Sequence, residues 1–439
     1  MNRRPSCALR ARKLHPFGVA RLPIFVAAAI LLLSPGCDDG TTPAATGAMR
    51  QRGYLWQRDW TPAVSDAFNE AQRRLDGVVL LGGEVMWDGT QPILIRSAIA
   101  WDTVGRSGKR CGIALRVAPF GGPFDDRTAQ FLADTAEALV ADATSHGAAL
   151  SEFQLDFDCA QKKLRSYRVW VTRLRAALAP LPLVITALPA WLEEPELRAL
   201  LSETNGFVLQ VHSVPTGTAA ALGTLCDPKL ARRWAAQAAK FGRTFTIALP
   251  TYRCLAGYDD GGKLLGVAMD AVQPSWPAGT RVLEFRSDPH ELARLVHEWN
   301  ARRPANMAGV IWYRIPTGSD VRNWPWRTLV AVSAGREPSR RLEIRSTGEN
   351  PIDLLLANNG EAEEQISAAV VVKWHDAMLT ASDALPGWTL QTTETQAVFT
   401  PEANRLRLLP EEQRGIGWLR FDRAPPLETQ IRETVAGIR

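Results

Sequence analysis

Cysteine is scarce in this 439-residue chain: there are six, and no two form a CxxC pair. Histidine is equally sparse at six, with no HxxxH spacing. These absences remove the commonest zinc signatures, so no metal is expected. A phosphate loop is also missing, and the glycine pairs Gly82-Gly83 and Gly121-Gly122 lack the spacing of a dinucleotide fingerprint, so no cofactor is expected either. No GxSxG occurs, which argues against a serine hydrolase of the nucleophile-elbow type. The pronounced apolar run is IFVAAAILLL (Ile24–Leu33). It is shorter than the roughly 20 residues a helix needs to cross a bilayer.

That run has a meaning of its own. Arg3, Arg4, Arg10, Arg12, Lys13 and Arg21 precede it, and Ser34-Pro35-Gly36-Cys37 follows. A basic region, a short apolar region and a small residue before cysteine form the pattern of a secretory signal. It resembles a bacterial lipoprotein signal, in which Cys37 would be lipidated and become the mature N-terminus. The match departs at Leu33, one place early, and at Pro35. The alternatives are an ordinary cleaved signal, which would leave the protein secreted, or an uncleaved anchor. Residues 1–36 are then leader, and 37–52, which include DDGTTPAATGA, read as a flexible tether. The expected location is the periplasm, with the membrane as a partner through the lipid.

The leader also accounts for the chain's basic character. Six of the 51 Lys and Arg residues and none of the 46 Asp and Glu precede Cys37, which leaves 45 bases against 46 acids beyond it. Without an excess of positive charge, a nucleic-acid partner loses its electrostatic support.

About four hundred residues exceed a usual single core, so two domains are expected. From residue 53 to 334, short β-type runs alternate with helix-length segments such as 126–144, 163–178, 228–240 and 289–302. The runs are 54–56, 77–81, 112–118, 153–158, 183–188, 207–212, 244–249 and 310–315, eight in all. Eight strands alternating with helices over this length is the signature of a (β/α)₈ barrel, and their wealth of Val, Ile, Leu and Phe suits parallel strands covered on both faces. A doubly wound sheet is the alternative. The loop-like stretch 333–340 then leads into residues 341–425. There LEIRSTG, IDLLLANNG, ISAAVVVKW, NRLRLLP and IGWLRFD read as short strands of a small β-sandwich.

A barrel makes the polar face of each strand interpretable, because functional groups in this fold gather at the C-terminal strand ends. In SEFQLDFDCA, the residues Gln154, Asp156 and Asp158 share one face of strand four, and Phe153, Leu155 and Phe157 the other. Stacked carboxylates on one face raise each other's pKa, which a fold tolerates for chemistry, for binding or beside compensating cations. The other inward candidates are Glu84 after strand two, Arg116 on strand three and Thr186 on strand five. Strand six adds Gln210 and His212, and strand eight Trp312 and Arg314. Each has a plainer reading as well: Arg116 and Arg314 as neutralisers of Asp156, His212 as a structural histidine, Glu84 as a solvated loop acid.

Aromatic residues extend the pattern. The chain has 15 Trp, and Trp56, Trp60, Trp87, Trp101, Trp191 and Trp312 fall just after strand ends, as Tyr252 does after strand seven. Aromatic faces near carboxylates suit sugar rings, although half or more of these tryptophans are expected in ordinary packing. The combination points to a carbohydrate polymer as partner and to glycoside hydrolysis by paired carboxyls. Asp158 is the expected acid, Asp156 or Glu84 its counterpart. Arg116, Gln154, Gln210, His212, Tyr252, Trp312 and Arg314 are expected to hold substrate. Strand four resembles the motif of chitinase-type glycosidases, in which spaced aspartates lead to a catalytic glutamate, but Ala160 stands at the glutamate's place. Either Asp158 or Glu84 then supplies the proton, or the mouth binds sugar without cleaving it.

On a larger scale the chain resembles the bacterial family of domain of unknown function 3142. The resemblance rests on FQLDFDCA with Tyr167 after it, ITALPAWL (Ile185–Leu192), LQVHSV (Leu209–Val214), IALPTYRC (Ile247–Cys254) and IGWLRF (Ile416–Phe421), and it extends from about Tyr54 to Phe421. It implies a fold and an envelope location rather than a particular reaction. In an oxidising compartment a Cys226–Cys254 disulfide would join neighbouring loops, but the pairing of Cys111, Cys159, Cys226 and Cys254 stays open.

Overall fold

The computed structural model describes residues 44–214, 223–269, 275–402 and 406–432. The leader, Cys37 and the first part of the expected tether lie outside the described residues. Eight parallel strands close on themselves: β1 (Arg50–Leu55), β2 (Gly77–Trp87), β3 (Cys111–Val117), β4 (Leu150–Phe157), β5 (Leu183–Ala187), β6 (Gly206–Gln210), β7 (Phe245–Pro250) and β8 (Met307–Tyr313). Closure comes from β1, which pairs with both β8 and β2. A helix follows each strand: α1 (Pro62–Arg74), α2 (Trp101–Arg106), α3 (Asp126–Ser145), α4 (Leu164–Leu178), α5 (Pro195–Ser202), α6 (Pro228–Ala239), α7 (Pro289–Ala301) and α8 (Trp326–Ser333). The fold is therefore the (β/α)₈ barrel read from the alternation.

Local chemistry starts several of these helices. Asp125 accepts a hydrogen bond from the Thr128 amide at 2.8 Å to cap α3. Asp227-Pro228 and Asp288-Pro289 place a capping carboxylate before a proline whose missing N–H costs nothing in the first turn. Along α3 the buried residues Ala129, Leu132, Ala136, Leu139 and Ala143 recur at helical spacing and face the barrel wall. The large core lies between strands and helices. A smaller one, with Tyr54, Val79, Ala114, Val208, Ala248 and Ile311, fills the barrel itself. Gly309 marks the tightest seam, since a Cβ there would lie 2.1 Å from the Arg50 carbonyl oxygen on β1.

Three features depart from the sequence reading. Residues expected in the tether belong to the barrel: Ala45 bridges Arg303, the Gly47 amide donates to the Asn300 carbonyl at 2.9 Å, and β1 begins at Arg50. β2 runs past Leu81 to Trp87 and turns back into an antiparallel strand, Pro92–Arg96. Between β7 and α7 a three-stranded antiparallel sheet (Arg253–Tyr258, Leu264–Ala268, Arg281–Arg286) is inserted, with its own core of Cys254, Ala256, Tyr258 and Phe285.

Beyond α8 two four-stranded antiparallel sheets face each other. One consists of Leu342–Thr347, Ile352–Asn358, Gln413–Phe421 and Leu379–Ala384. The other consists of Trp388–Thr392, Gln396–Pro401, Ala369–Trp374 and Leu427–Arg432. Leu354, Leu356, Ile416 and Leu419 from the first pack with Val370, Val372, Trp374 and Phe399 from the second. The unit is a sandwich. It is fastened to the barrel by ion pairs such as Arg253–Glu363 (2.6 Å) and Arg407–Glu284 (2.7 Å), and the Thr328 hydroxyl donates to the Glu361 carbonyl.

The disulfide that was expected to join Cys226 and Cys254 is not formed. Cys111, Cys159, Cys226 and Cys254 are all free and buried. Cys226 belongs to the main core and Cys254 to that of the inserted sheet, so the two follow neighbouring strands without facing each other. Burial pushes the Cys111 thiol up to about 11 and the other three up to about 12, which leaves them poor nucleophiles.

Candidate active site

Strand β4 builds the site as a ladder of inward side chains two residues apart. At the barrel floor Glu152 pairs with Arg52 at 2.5 Å. One rung higher Gln154 is fully buried, accepting from the Tyr54 hydroxyl at 2.7 Å and donating back to Glu152. Next, Asp156 accepts from the Thr186 hydroxyl at 2.7 Å, and Thr186 itself accepts from the Phe157 amide at 3.3 Å. The last rung, Asp158, is exposed at the mouth. Its carboxyl makes no hydrogen bond or ion pair among the described residues.

The electrostatics follow the ladder. Burial raises Asp156 to about 6, with Asp158 adding to the rise and the Thr186 hydrogen bond and Arg116 opposing it. Desolvation in the mouth raises Asp158 as well, again against Arg116. Asp156 therefore holds a proton in mildly acidic conditions, mainly because it is buried and secondarily because Asp158 lies above it.

Glu84 comes to the same wall through an irregularity in β2. Leu81 is in register with Ala114 of β3, but Gly83 with Leu115 and Glu84 with Arg116. Gly82 is the extra residue of a bulge that reverses the alternation and turns Glu84 inward. A Cβ at Gly82 would come within 2.9 Å of the Ile113 side chain, so the bulge needs glycine. The consequence corrects two expectations about Glu84. It is no solvated loop acid, since it is 6% exposed. Nor is its carboxyl free to act on a ligand, because Arg58 and, at 3.8 Å, Arg116 engage it.

Four substrate-holding expectations also change. Trp312 points away from the mouth: it is fully buried in the core outside the barrel, donating to Gln51 at 2.9 Å and packing on Trp324. The inward residues of β8 are Ile311 and Tyr313, which belong to the interior cluster. Gln154 is spent on Tyr54 and Glu152 and cannot reach a ligand. Arg314 is mostly buried and pairs with Asp320 at 2.8 Å. Arg116 divides its charge between Glu84 and the two aspartates rather than serving Asp156 alone.

What the mouth does offer is an aromatic wall. Trp56 meets Tyr313 edge-on at 5.7 Å, Tyr313 stacks on His212 at 5.5 Å, and Tyr252 stands edge-on to both at 5.7 and 5.9 Å. His212 is buried, and neither ring nitrogen has a hydrogen-bond partner among the described residues. Burial lowers it to about 3, so the imidazole is neutral. Gln210 is half-buried and donates to the His212 carbonyl at 3.4 Å. The Tyr313 hydroxyl is raised to about 12 by burial, within the fields of Arg116, Arg314, Asp156 and Asp158. Tyr313 was not foreseen, and Trp56 was noted only as one of many tryptophans. The remaining tryptophans pack elsewhere: Trp60 on Phe68, Trp87 on Phe120, Trp101 against Asp142 and Trp191 against Cys159.

A carboxyl of raised pKa open to solvent, a second one of raised pKa below it and neutral donors around them can give and take a proton beside a bound polar ligand. Among the described residues no group of three His, Cys, Asp or Glu side chains could hold a metal ion.

No curated protein matches the chain. Among solved structures, a chitinase from Bacillus thuringiensis matches at 9% identity with a TM-score of 0.42, covering 88% of this chain and 100% of that one. A family GH18 chitinase from Chromobacterium violaceum matches at 10% identity and a TM-score of 0.42, covering 90% and 91%. The spore cortex-lytic enzyme of Bacillus cereus matches at 10% identity and a TM-score of 0.44, covering 66% and 75%. Residues 119–318 match the family model of domain of unknown function DUF3142. Residues 344–422, including the Ile416–Phe421 segment, match that of DUF8456. The first match runs from just after β3 to just past β8, and the second covers most of the C-terminal sheets.

Proposed function

We propose that the barrel mouth hydrolyses a glycosidic bond in a polysaccharide outside the cytoplasm. Asp158 is the general acid and Asp156 its partner carboxyl. The observation that carries this reading is the ladder of β4: every lower rung is satisfied by protein, and the top one is not. Same-face neighbours on a strand are roughly 6.6 Å apart at about 3.3 Å per residue. That lies within the range of about 5 to 9.5 Å over which paired carboxyls perform glycoside hydrolysis. Trp56 and Tyr313 supply ring faces for a sugar, while Tyr252, His212 and Gln210 supply neutral polar groups.

A second reading, binding without cleavage, is favoured by one residue. Ala160 occupies the place of the glutamate in the chitinase-type motif. Incubating the purified protein with a panel of envelope and exopolysaccharides separates the two. Release of new reducing ends supports hydrolysis, retention without release supports binding, and inertness toward every polymer removes both.

On this reading Cys37 carries a lipid and the barrel lies in the periplasm beside its polymer. Cys37→Ser is then expected to move the protein from the membrane fraction to the soluble one. An unchanged distribution would eliminate the anchor.

A further inference from the structure

Beside the mouth, where the barrel meets the C-terminal sandwich, lies a small cavity of about 90 Å³. Its wall includes Tyr252, Arg253, Arg286, Arg322, Asn323 and Glu363. Tyr252 belongs to both places, since its ring also meets His212 and Tyr313. The Tyr252 ring therefore stands between the cavity and the aromatic wall of the mouth.

Its charge is unbalanced. Glu363, the one acid in the lining, is shared by three guanidiniums: Arg253 at 2.6 Å, Arg407 at 3.5 Å and Arg286 at 3.7 Å. Glu284 behind it serves Arg407 at 2.7 Å and Arg253 at 3.9 Å. Among the described residues two carboxylates thus answer three arginines in this network. Arg253 is saturated by Glu363 and the Val321 carbonyl. Among the described residues Arg286 has only the long contact to Glu363 as an ion pair, and its side chain is 46% exposed. A guanidinium presents paired donors that fit a carboxylate or sulfate, and partial enclosure strengthens the attraction over that in open water.

We propose that this cavity receives the anionic substituent of a sugar neighbouring the one held at the mouth. The substrate class of the proposed hydrolase is then an acidic glycan. This inference rests on the mouth being a saccharide site, although binding here can be tested without cleavage.

The test is affinity electrophoresis of the full chain lacking its leader, through native gels containing dextran, dextran sulfate or polygalacturonate. Near-neutral net charge beyond the leader keeps indiscriminate attraction to polyanions small. At least one acidic polymer should retard the protein and neutral dextran should not; which one separates sulfate from carboxylate recognition. Arg286→Gln should weaken that retention at least tenfold. Arg286→Lys should restore part of it, and Arg173→Gln on α4 should leave it intact. Equal retardation by neutral and acidic polymers, no retardation by any, or equal losses in Arg286→Gln and Arg173→Gln would overturn the proposal. Retention that depends on Arg286 without release of reducing ends would uphold the acidic subsite and sink the hydrolase. Cleavage indifferent to polymer charge would do the reverse.

Discussion

Asp158→Asn is expected to lower glycan hydrolysis by about 10² to 10⁴-fold, the usual contribution of a positioned general acid. That corresponds to about 3 to 5 kcal/mol of transition-state stabilisation. The substitution is close to isosteric, and it removes a carboxyl that is exposed and bonds to nothing described. Thermal unfolding should therefore stay at or slightly above that of the wild type, because desolvation already opposes the Asp158 charge in the folded protein. Substrate retention should survive too, since the aromatic wall is intact. Rate against pH gives an independent check. The acid must be protonated, and desolvation in the mouth raises Asp158 above its ordinary value, so activity should fall as pH rises through that raised pKa. Equal release of reducing ends by wild type and variant would end the acid assignment.

Asp156→Asn should raise stability. In the folded protein this carboxyl titrates at about 6 instead of 3.8. Below the lower value both folded and unfolded chains hold the proton, and the group has no effect. Between the two values the folded chain keeps a proton that the unfolded chain has released, so stability declines as pH rises. Above about 6 the whole penalty remains, on the order of 2 to 3 kcal/mol. Asparagine carries no charge and can still accept the Thr186 hydrogen bond. The variant should thus melt a few degrees above wild type at pH 8 and coincide with it at pH 4 or below. Calorimetry at the two pH values decides the matter. A stability difference of the same size at both would mean that ionisation of Asp156 is not its source. Lost activity together with gained stability is what a strained site residue predicts.

The sequence made some of this legible and concealed the rest for identifiable reasons. Eight β-type runs between helical segments sufficed for the barrel, and on β4 a strict alternation of polar and phenylalanine or leucine residues sufficed for its inward face. Periodicity separates two faces but does not say which one looks inward when both are apolar. On β8 the residues Val310, Ile311, Trp312 and Tyr313 give no contrast, and Trp312 and Tyr313 changed places for that reason. On β2 the bulge at Gly82 reversed the alternation partway, so Glu84 faces the barrel from within a strand rather than from a loop. A double glycine inside an apolar run is the available signal of such a bulge. In the sandwich, Leu379–Ala384 and Leu427–Arg432 are polar outer strands that only their partners identify.

The ladder on β4 also bears on how the chain finds its alignment. A slip of one residue would turn Phe153, Leu155 and Phe157 into the barrel and drive Glu152, Gln154 and Asp156 against the apolar helices α3 and α4. Arg52 and Tyr54 on β1 and Thr186 on β5 would lose their partners at once. Most barrel strands carry aliphatic side chains that would tolerate such a shift far better. The polar rungs therefore act as a key that admits one pairing of β4 with its neighbours, and that pairing is what brings Asp158 to the rim.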